Sequence, residues 1–243
     1  MATTTKGLMT EDMSFFDDYA GAGLDTITSN EQAMSYLSLV QPGSQATLDG
    51  LPEGTWRNSA TNESYGNIVR VVPIAFRTIW NERSSEPPFN TVGRYKPNSI
   101  DVTIVPPKSG KTGFPKMVNP ATQNEIQELY IYAVILPDFP EAGVLYFNPT
   151  VGSMKACKAW NTQLKGQILP NGAQAPIFGY CWNLICELVP NPQKPSEKIA
   201  RFAKVQKDTI VNKELFTDVI KPQLDTVTKA VLMITEGEED VAE

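Results

Sequence analysis

The sequence contains no histidine. That absence removes the commonest general base, the commonest zinc ligand and every Ser-His-Asp or Cys-His arrangement for nucleophilic attack. Cysteine is scarce as well: Cys157, Cys181 and Cys186 are odd in number, and their spacings match no zinc pattern. They read as small buried apolar residues with free thiols. No apolar stretch is long enough to span a bilayer. The opening residues, MATTTKGLMTEDMSFF, place acids where an export signal needs bases followed by an apolar run. These absences lead to the expectation of a soluble, non-enzymatic protein in a reducing cytoplasm, with no metal and no cofactor.

What is present is a chain of 243 residues, 41% hydrophobic, which can bury a real core. Its formal net charge of −6 conceals a segregated distribution. Residues 1–50 carry one lysine against seven acids, and residues 230–243 carry Glu236, Glu238, Glu239, Asp240 and Glu243 with no base. The body between them has twenty bases against fifteen acids. A mildly basic body between acidic ends suits a protein that binds a polyanion and carries a tail imitating one.

Several motifs fail on inspection. PPKSGKTG at 106–113 contains the GKT of a phosphate-binding loop, but Val105 stands where that loop needs its first glycine. AGAG at 20–23 is too short for a dinucleotide fingerprint, and Asp17-Asp18 lies in an acidic arm without an expected pocket.

The order of elements reads as mainly β with helices. Ser29–Gln41 opens with a capping-box pattern and spaces Met34, Leu37 and Val40 at helical intervals, which predicts a short helix. Residues 43–67 read as a loop. Strands are predicted at 67–80, with Pro73 at an edge or a bulge, at 99–105, and at 128–136 with a hairpin partner at 143–147. Residues 150–165 have helix periodicity, with Lys155, Lys158 and Lys165 on one exposed face. A strand pair at 176–189 and 198–205 follows, then a helix from an Asn212 cap to Met233 that Pro222 kinks or interrupts. The count suits an OB-like small β-barrel with an inserted helix, an N-terminal helical arm and a C-terminal helix; a β-sandwich is the alternative. The expected divisions are an acidic arm at 1–45, the barrel at 46–210, and a helix with acidic tail at 211–243.

The candidate site is a set of bases interleaved with aromatics. Single-stranded nucleic acid is bound by this combination, with cations tracking phosphates and rings stacking on bases. In the strand at 128–136, Leu129, Ile131, Ala133 and Ile135 form an aliphatic stripe, so Tyr130 and Tyr132 are assigned to the wetter face. Phe178, Tyr180 and Trp182 share a face that is either a core layer or a stacking platform. The nucleic-acid-binding set is Arg70, Arg77, Trp80, Arg94, Lys96, Lys108, Lys111, Lys116, Tyr130, Tyr132, Tyr180 and Trp182, with Arg201, Lys204 and Lys207 nearby in sequence.

Four segments carry a resemblance: AGAGLDTITSNEQAMSYLSLVQPGS, RVVPIAFRTIW, MKACKAWNTQLKGQ and FGYCWNLICELV. In that order they resemble tailed-phage single-stranded-DNA-binding proteins with an OB-like core and an acidic C-terminus, and Trp80, Trp160 and Trp182 occupy the aromatic positions of the pattern. The resemblance implies a non-catalytic role in phage DNA replication or recombination within the infected bacterial host. The implied partners are single-stranded DNA and, through the acidic tail, replication proteins, with self-association left open. The small basic excess of the body keeps a second reading, a virion structural or assembly protein.

Overall fold

The computed structural model describes residues 35–87, 90–107, 115–169, 171–191 and 194–224. The chain divides between residues 33 and 34, and all described residues lie in the second part.

The spine is β4 (Ile68–Arg83), whose β-branched and aromatic residues favour an extended backbone. Its start pairs antiparallel with β10 (Tyr180–Pro190), and from Val72 onward it pairs antiparallel with β8 (Glu125–Ile135). Pro73 sits at the register shift between Pro73 and Ala75. A bulge tolerates the missing N–H of proline, which is the second of the two placements expected for it.

β11 (Lys198–Ile210) extends the sheet beyond β10, and β7 (Lys116–Val118) and β6 (Thr103–Val105) extend it beyond β8. β5 (Thr91–Tyr95) pairs with the end of β4, and β9 (Val144–Phe147) forms the expected hairpin with β8. This eight-stranded antiparallel sheet runs β11-β10-β4-β8-β7-β6 along its main path. Its terminal strands do not pair with each other, so the described strands do not close the OB-like barrel expected from the sequence.

A second sheet has three strands, β1 (Leu37–Leu39), β2 (Trp56–Asn58) and β3 (Ser64–Gly66). The expected helix at 29–41 is therefore corrected over its described part: residues 37–39 are a strand paired with β2. Leu37 and Val40 are buried, but the burial comes from pairing with a distant strand, a non-local force that local spacing does not encode. The region read as a loop, 43–67, supplies β2, β3 and the one-turn helix α1 (Gln45–Leu48). Gly54 precedes β2 at φ +73, where an added Cβ would lie 3.0 Å from Leu188 Cγ of β10. Glycine there supplies the left-handed conformation and the close approach together.

Helix α2 (Met154–Lys165) lies where its periodicity predicts, burying Cys157 and Trp160. The larger core gathers one face of the eight-stranded sheet, the three-stranded sheet and α2 around Trp56, Tyr132, Phe147, Trp160, Trp182 and Phe202. Trp56 Nε1 donates to Leu184 O at 3.1 Å, tying the two sheets together. A second core lies among Val72, Ile74, Ala133, Ile135 and Cys181, with Leu215, Phe216, Val219 and Ile220 from the segment after β11 packed against them. That segment begins as expected, with Leu215 N donating to the Asn212 side-chain oxygen at 2.8 Å. It runs through a π-helical turn, Leu215–Ile220, just before Pro222. The helix runs on through Pro222 to Leu224, so the proline does not interrupt it there, and the rest of the expected continuation to Met233 lies outside the described residues.

Candidate functional site

The large sheet is covered on both faces along the C-terminal half of β8, and this decides the fate of the expected aromatics. Ala133 and Ile135 pack with the segment after β11, while Tyr130 and Tyr132 pack in the larger core. The assignment of the two tyrosines to a wetter face is corrected: Tyr132 is 0% exposed and Tyr130 8%. Tyr132 stacks on Trp160 with ring centroids 4.6 Å apart, and burial pushes its phenol pKa up. Trp80, Tyr180 and Trp182 are buried as well, so the alternative of a core layer applies to the latter two. Rings enclosed as fully as those of Tyr132 and Trp182 have no room to stack on a base, whereas Tyr130 keeps an edge on a pocket beside α2.

The expected bases do not converge on one surface. Arg70 is held by Asp208 at 2.7 Å, Asp138 at 3.2 Å and Thr209 at 2.8 Å. Its charge is answered within the fold. Lys116 pairs with Glu125 across β7 and β8. Arg77 is half-buried in the middle of β4, and Arg94 and Lys96 are exposed on and just beyond β5. Lys108 and Lys111 lie outside the described residues, as do Glu236, Glu238, Glu239, Asp240 and Glu243.

A different constellation of bases is brought together. α2, MKACKAWNTQLK, contributes Lys155, Lys158 and Lys165 and no acid. The neighbouring β11, KIARFAKVQKDTI, contributes Lys198, Arg201, Lys204 and Lys207 with Asp208 as its one acid. Asp208 is occupied by Arg70. Among the described residues no base of α2 or β11 forms an ion pair. Seven cations thus share one helix–strand pair with one acid, whose charge another residue already balances.

The helix forms because its buried positions, Cys157 and Trp160, repeat at helical spacing, and this leaves the lysines on the solvent side. On β11 the buried Ala200, Phe202 and Val205 anchor the strand, with a register shift opposite Ile185 and Cys186. Lys155, Arg201 and Lys204 line a groove of about 420 Å³ between the two elements, floored by Ala156, Ala159 and Ala203. Small side chains let a backbone of phosphates approach, and unpaired cations supply the attraction. Lys207 continues the series, its ammonium 3.6 Å over the Tyr180 ring and hydrogen-bonded to the Gln167 side chain, both neutral partners. The lysine face of α2 and the Arg201, Lys204 and Lys207 series are visible in the sequence. Their adjacency is not.

On its other side α2 borders a pocket of about 460 Å³ lined by Phe76, Thr78, Tyr130, Asn161, Lys165 and Gln174, among others. Nothing in the sequence marks Asn161 or Gln174. Among the described residues no group of His, Cys, Asp or Glu is arranged to hold a metal ion, and no helix is long and apolar enough to cross a membrane. Cys157, Cys181 and Cys186 are buried free thiols, and burial raises the pKa of Cys157 to about 12 and that of Cys186 to about 11.

No curated protein and no solved structure matches the chain. A protein-family comparison does: residues 4–219 match the family described as Pam3 phage gp34-like protein. With the match spanning nearly the whole described body, this bacteriophage chain belongs to the Pam3 phage gp34-like protein family.

Proposed function

We propose that this phage protein binds single-stranded DNA without catalysis, on the surface formed by α2 and β11, and serves phage DNA replication or recombination inside the infected bacterium. One observation carries the reading: seven cations and one already-neutralised acid on two adjoining elements, with a small-residue groove between them. Cations left without partners inside the fold gain most from neutralising phosphates, because each contact releases counterions from the strand. Tyr132, Tyr180 and Trp182 are core residues in this reading, and the binding face lies on α2 and β11.

The acidic tail acts on the same surface. Its five carboxylates, Glu236 to Glu243, have no base among them and compete with DNA for the α2–β11 cations at the millimolar effective concentration of a tethered segment. Released by DNA, they are free to recruit a basic partner from the replication machinery. A gel shift with an oligo-dT strand against duplex DNA at low and high salt tests the reading; single-strand binding that weakens with salt is expected.

A second reading, a virion or assembly component, draws on the opposite end of the sheet. There Val92, Ile104 and Val105 are exposed, and β6 is at the edge of the described strands and exposed along its whole length. An apolar edge of this kind suits pairing with another chain.

A further inference from the structure

We propose that the pocket bordered by Phe76, Tyr130 and Asn161 receives a single nucleobase of the bound strand and selects bases that carry a keto oxygen, thymine above adenine. This inference rests on the single-stranded-DNA reading and assigns a base-recognition subsite to it.

Asn161 is held from inside the fold. Its Oδ1 accepts a hydrogen bond from the Tyr132 phenol at 2.9 Å, and Tyr132 is itself locked by stacking on Trp160. That bond fixes the amide and commits its oxygen inside the fold. The Nδ2 group, which makes no hydrogen bond among the described residues, is left as a pair of donors at the pocket wall. A half-buried amide that presents donors calls for an acceptor. Thymine offers two keto oxygens at its edge; adenine accepts only at ring nitrogens, and its N6 amine would set donors against the donors of the amide, whose oxygen Tyr132 already occupies.

The other walls suit the rest of a nucleotide. Phe76 and Tyr130 meet at 70° with centroids 5.5 Å apart, which gives the pocket ring surface on the sheet side. The half-buried side chains of Phe76 and Thr78 and the lightly exposed ring of Tyr130 leave this surface accessible from the pocket, unlike the enclosed rings of Tyr132 and Trp182. A volume of about 460 Å³ is ample for one base. Lys165 stands at the same pocket and belongs to the cation series of α2, so a base inserted here stays linked to a phosphate held by the basic surface. The groove and the pocket flank one helix, the first suited to the backbone and the second to a base.

The test uses the full chain and two strands, (dT)20 and (dA)20, titrated at low salt and followed by fluorescence anisotropy. Asn161→Asp keeps the acceptor for Tyr132 and removes the donors; its added charge weakens both strands, so the readout is the ratio of the two affinities. Thr162→Leu, at an exposed position of α2 on the pocket wall, fills the pocket from outside without touching the core. The wild type is expected to favour (dT)20, and in both variants that preference falls by about three- to tenfold, the worth of one hydrogen bond. The slope of affinity against salt stays unchanged in Thr162→Leu. Comparing ratios cancels the self-stacking of (dA)20, which is common to all three proteins. A ratio unchanged in both variants, with binding intact, overturns the pocket alone. Absence of binding to either strand overturns the pocket and the DNA reading together.

Discussion

The phenol of Tyr132 donates a hydrogen bond to Asn161 Oδ1 at 2.9 Å, fastening the middle of β8 to helix α2. Because Tyr132 is fully buried and stacked on Trp160, this bond connects the core to the element that carries three of the seven cations of the basic surface. Tyr132→Phe is expected to lower stability by about 1 kcal/mol, the net worth of one hydrogen bond. Tyr132→Ala is expected to cost about 3–5 kcal/mol through the cavity it leaves. Thermal unfolding checks both, and a Tyr132→Ala protein as stable as the wild type contradicts the core placement.

Glu82 is the buried charged side chain among the described residues, 1% exposed. Its Oε2 accepts from Tyr95 at 2.8 Å and Asn119 at 2.9 Å, and its Oε1 accepts from Asn124 at 2.7 Å and from Thr122. Burial alone raises the carboxyl pKa, but the four donors more than offset it and hold the group below the ordinary value of 4.5. A carboxyl held low when folded adds stability that is complete at neutral pH and is lost as pH falls below that value. Glu82→Gln, which turns an amide donor toward existing donors, is expected to cost about 2 kcal/mol at pH 7. Urea unfolding at pH 7 and pH 3.5 should show the difference from wild type narrowing at the lower pH. A constant difference contradicts the charged network.

Much of this fold is legible in the chain. β4, β8, β9, β10, β11, α2 and the Asn212 cap follow from residue type and spacing alone. The failures share one physical cause, which is contact with segments distant in the sequence. Leu37 reads as helical by its spacing from Met34 and Val40, yet pairing with Asn58 makes it part of a strand. Tyr130 and Tyr132 read as wet because Ala133 and Ile135 form an obvious apolar stripe, and only the packing of Ile220 and its neighbours shows that both faces are covered. Arg70 reads as a free cation because Asp138 and Asp208 are remote in sequence. The basic surface was divided between two elements and became visible only when the fold placed them side by side.

The buried thiols give a prediction about chemistry. Burial raises the pKa of Cys157 to about 12, and Cys181 and Cys186 are raised from the usual value by the same cause. Thiolate is the reactive form, so all three are expected to resist a disulfide reagent at pH 8 in the folded protein and to react promptly in denaturant. Fast reaction of any one of them under native conditions contradicts its placement.

The acidic tail is expected to weaken DNA binding at low salt. Removing residues 235–243 should raise affinity for a single strand at about 50 mM salt, with the gain shrinking by about 300 mM as screening shortens the reach of both charges. Equal affinities at low salt leave the tail as an aid to solubility, and reduced affinity on truncation contradicts competition.

The central claim is that the cations of α2 and β11 hold the phosphates of a single strand. Its most direct measurement is the anisotropy of a labelled 30-nucleotide oligomer titrated with wild type, with Lys155→Glu/Arg201→Glu/Lys204→Glu, and with Arg94→Glu/Lys96→Glu, across a range of salt. With each single-strand phosphate contact contributing about −0.7 to the slope of log affinity against log salt, the triple variant should lose about 2 from the magnitude of that slope together with most of its low-salt affinity. The pair at β5 should change little. Equal affinity and slope for wild type and the triple variant, with both proteins folded, would contradict the account.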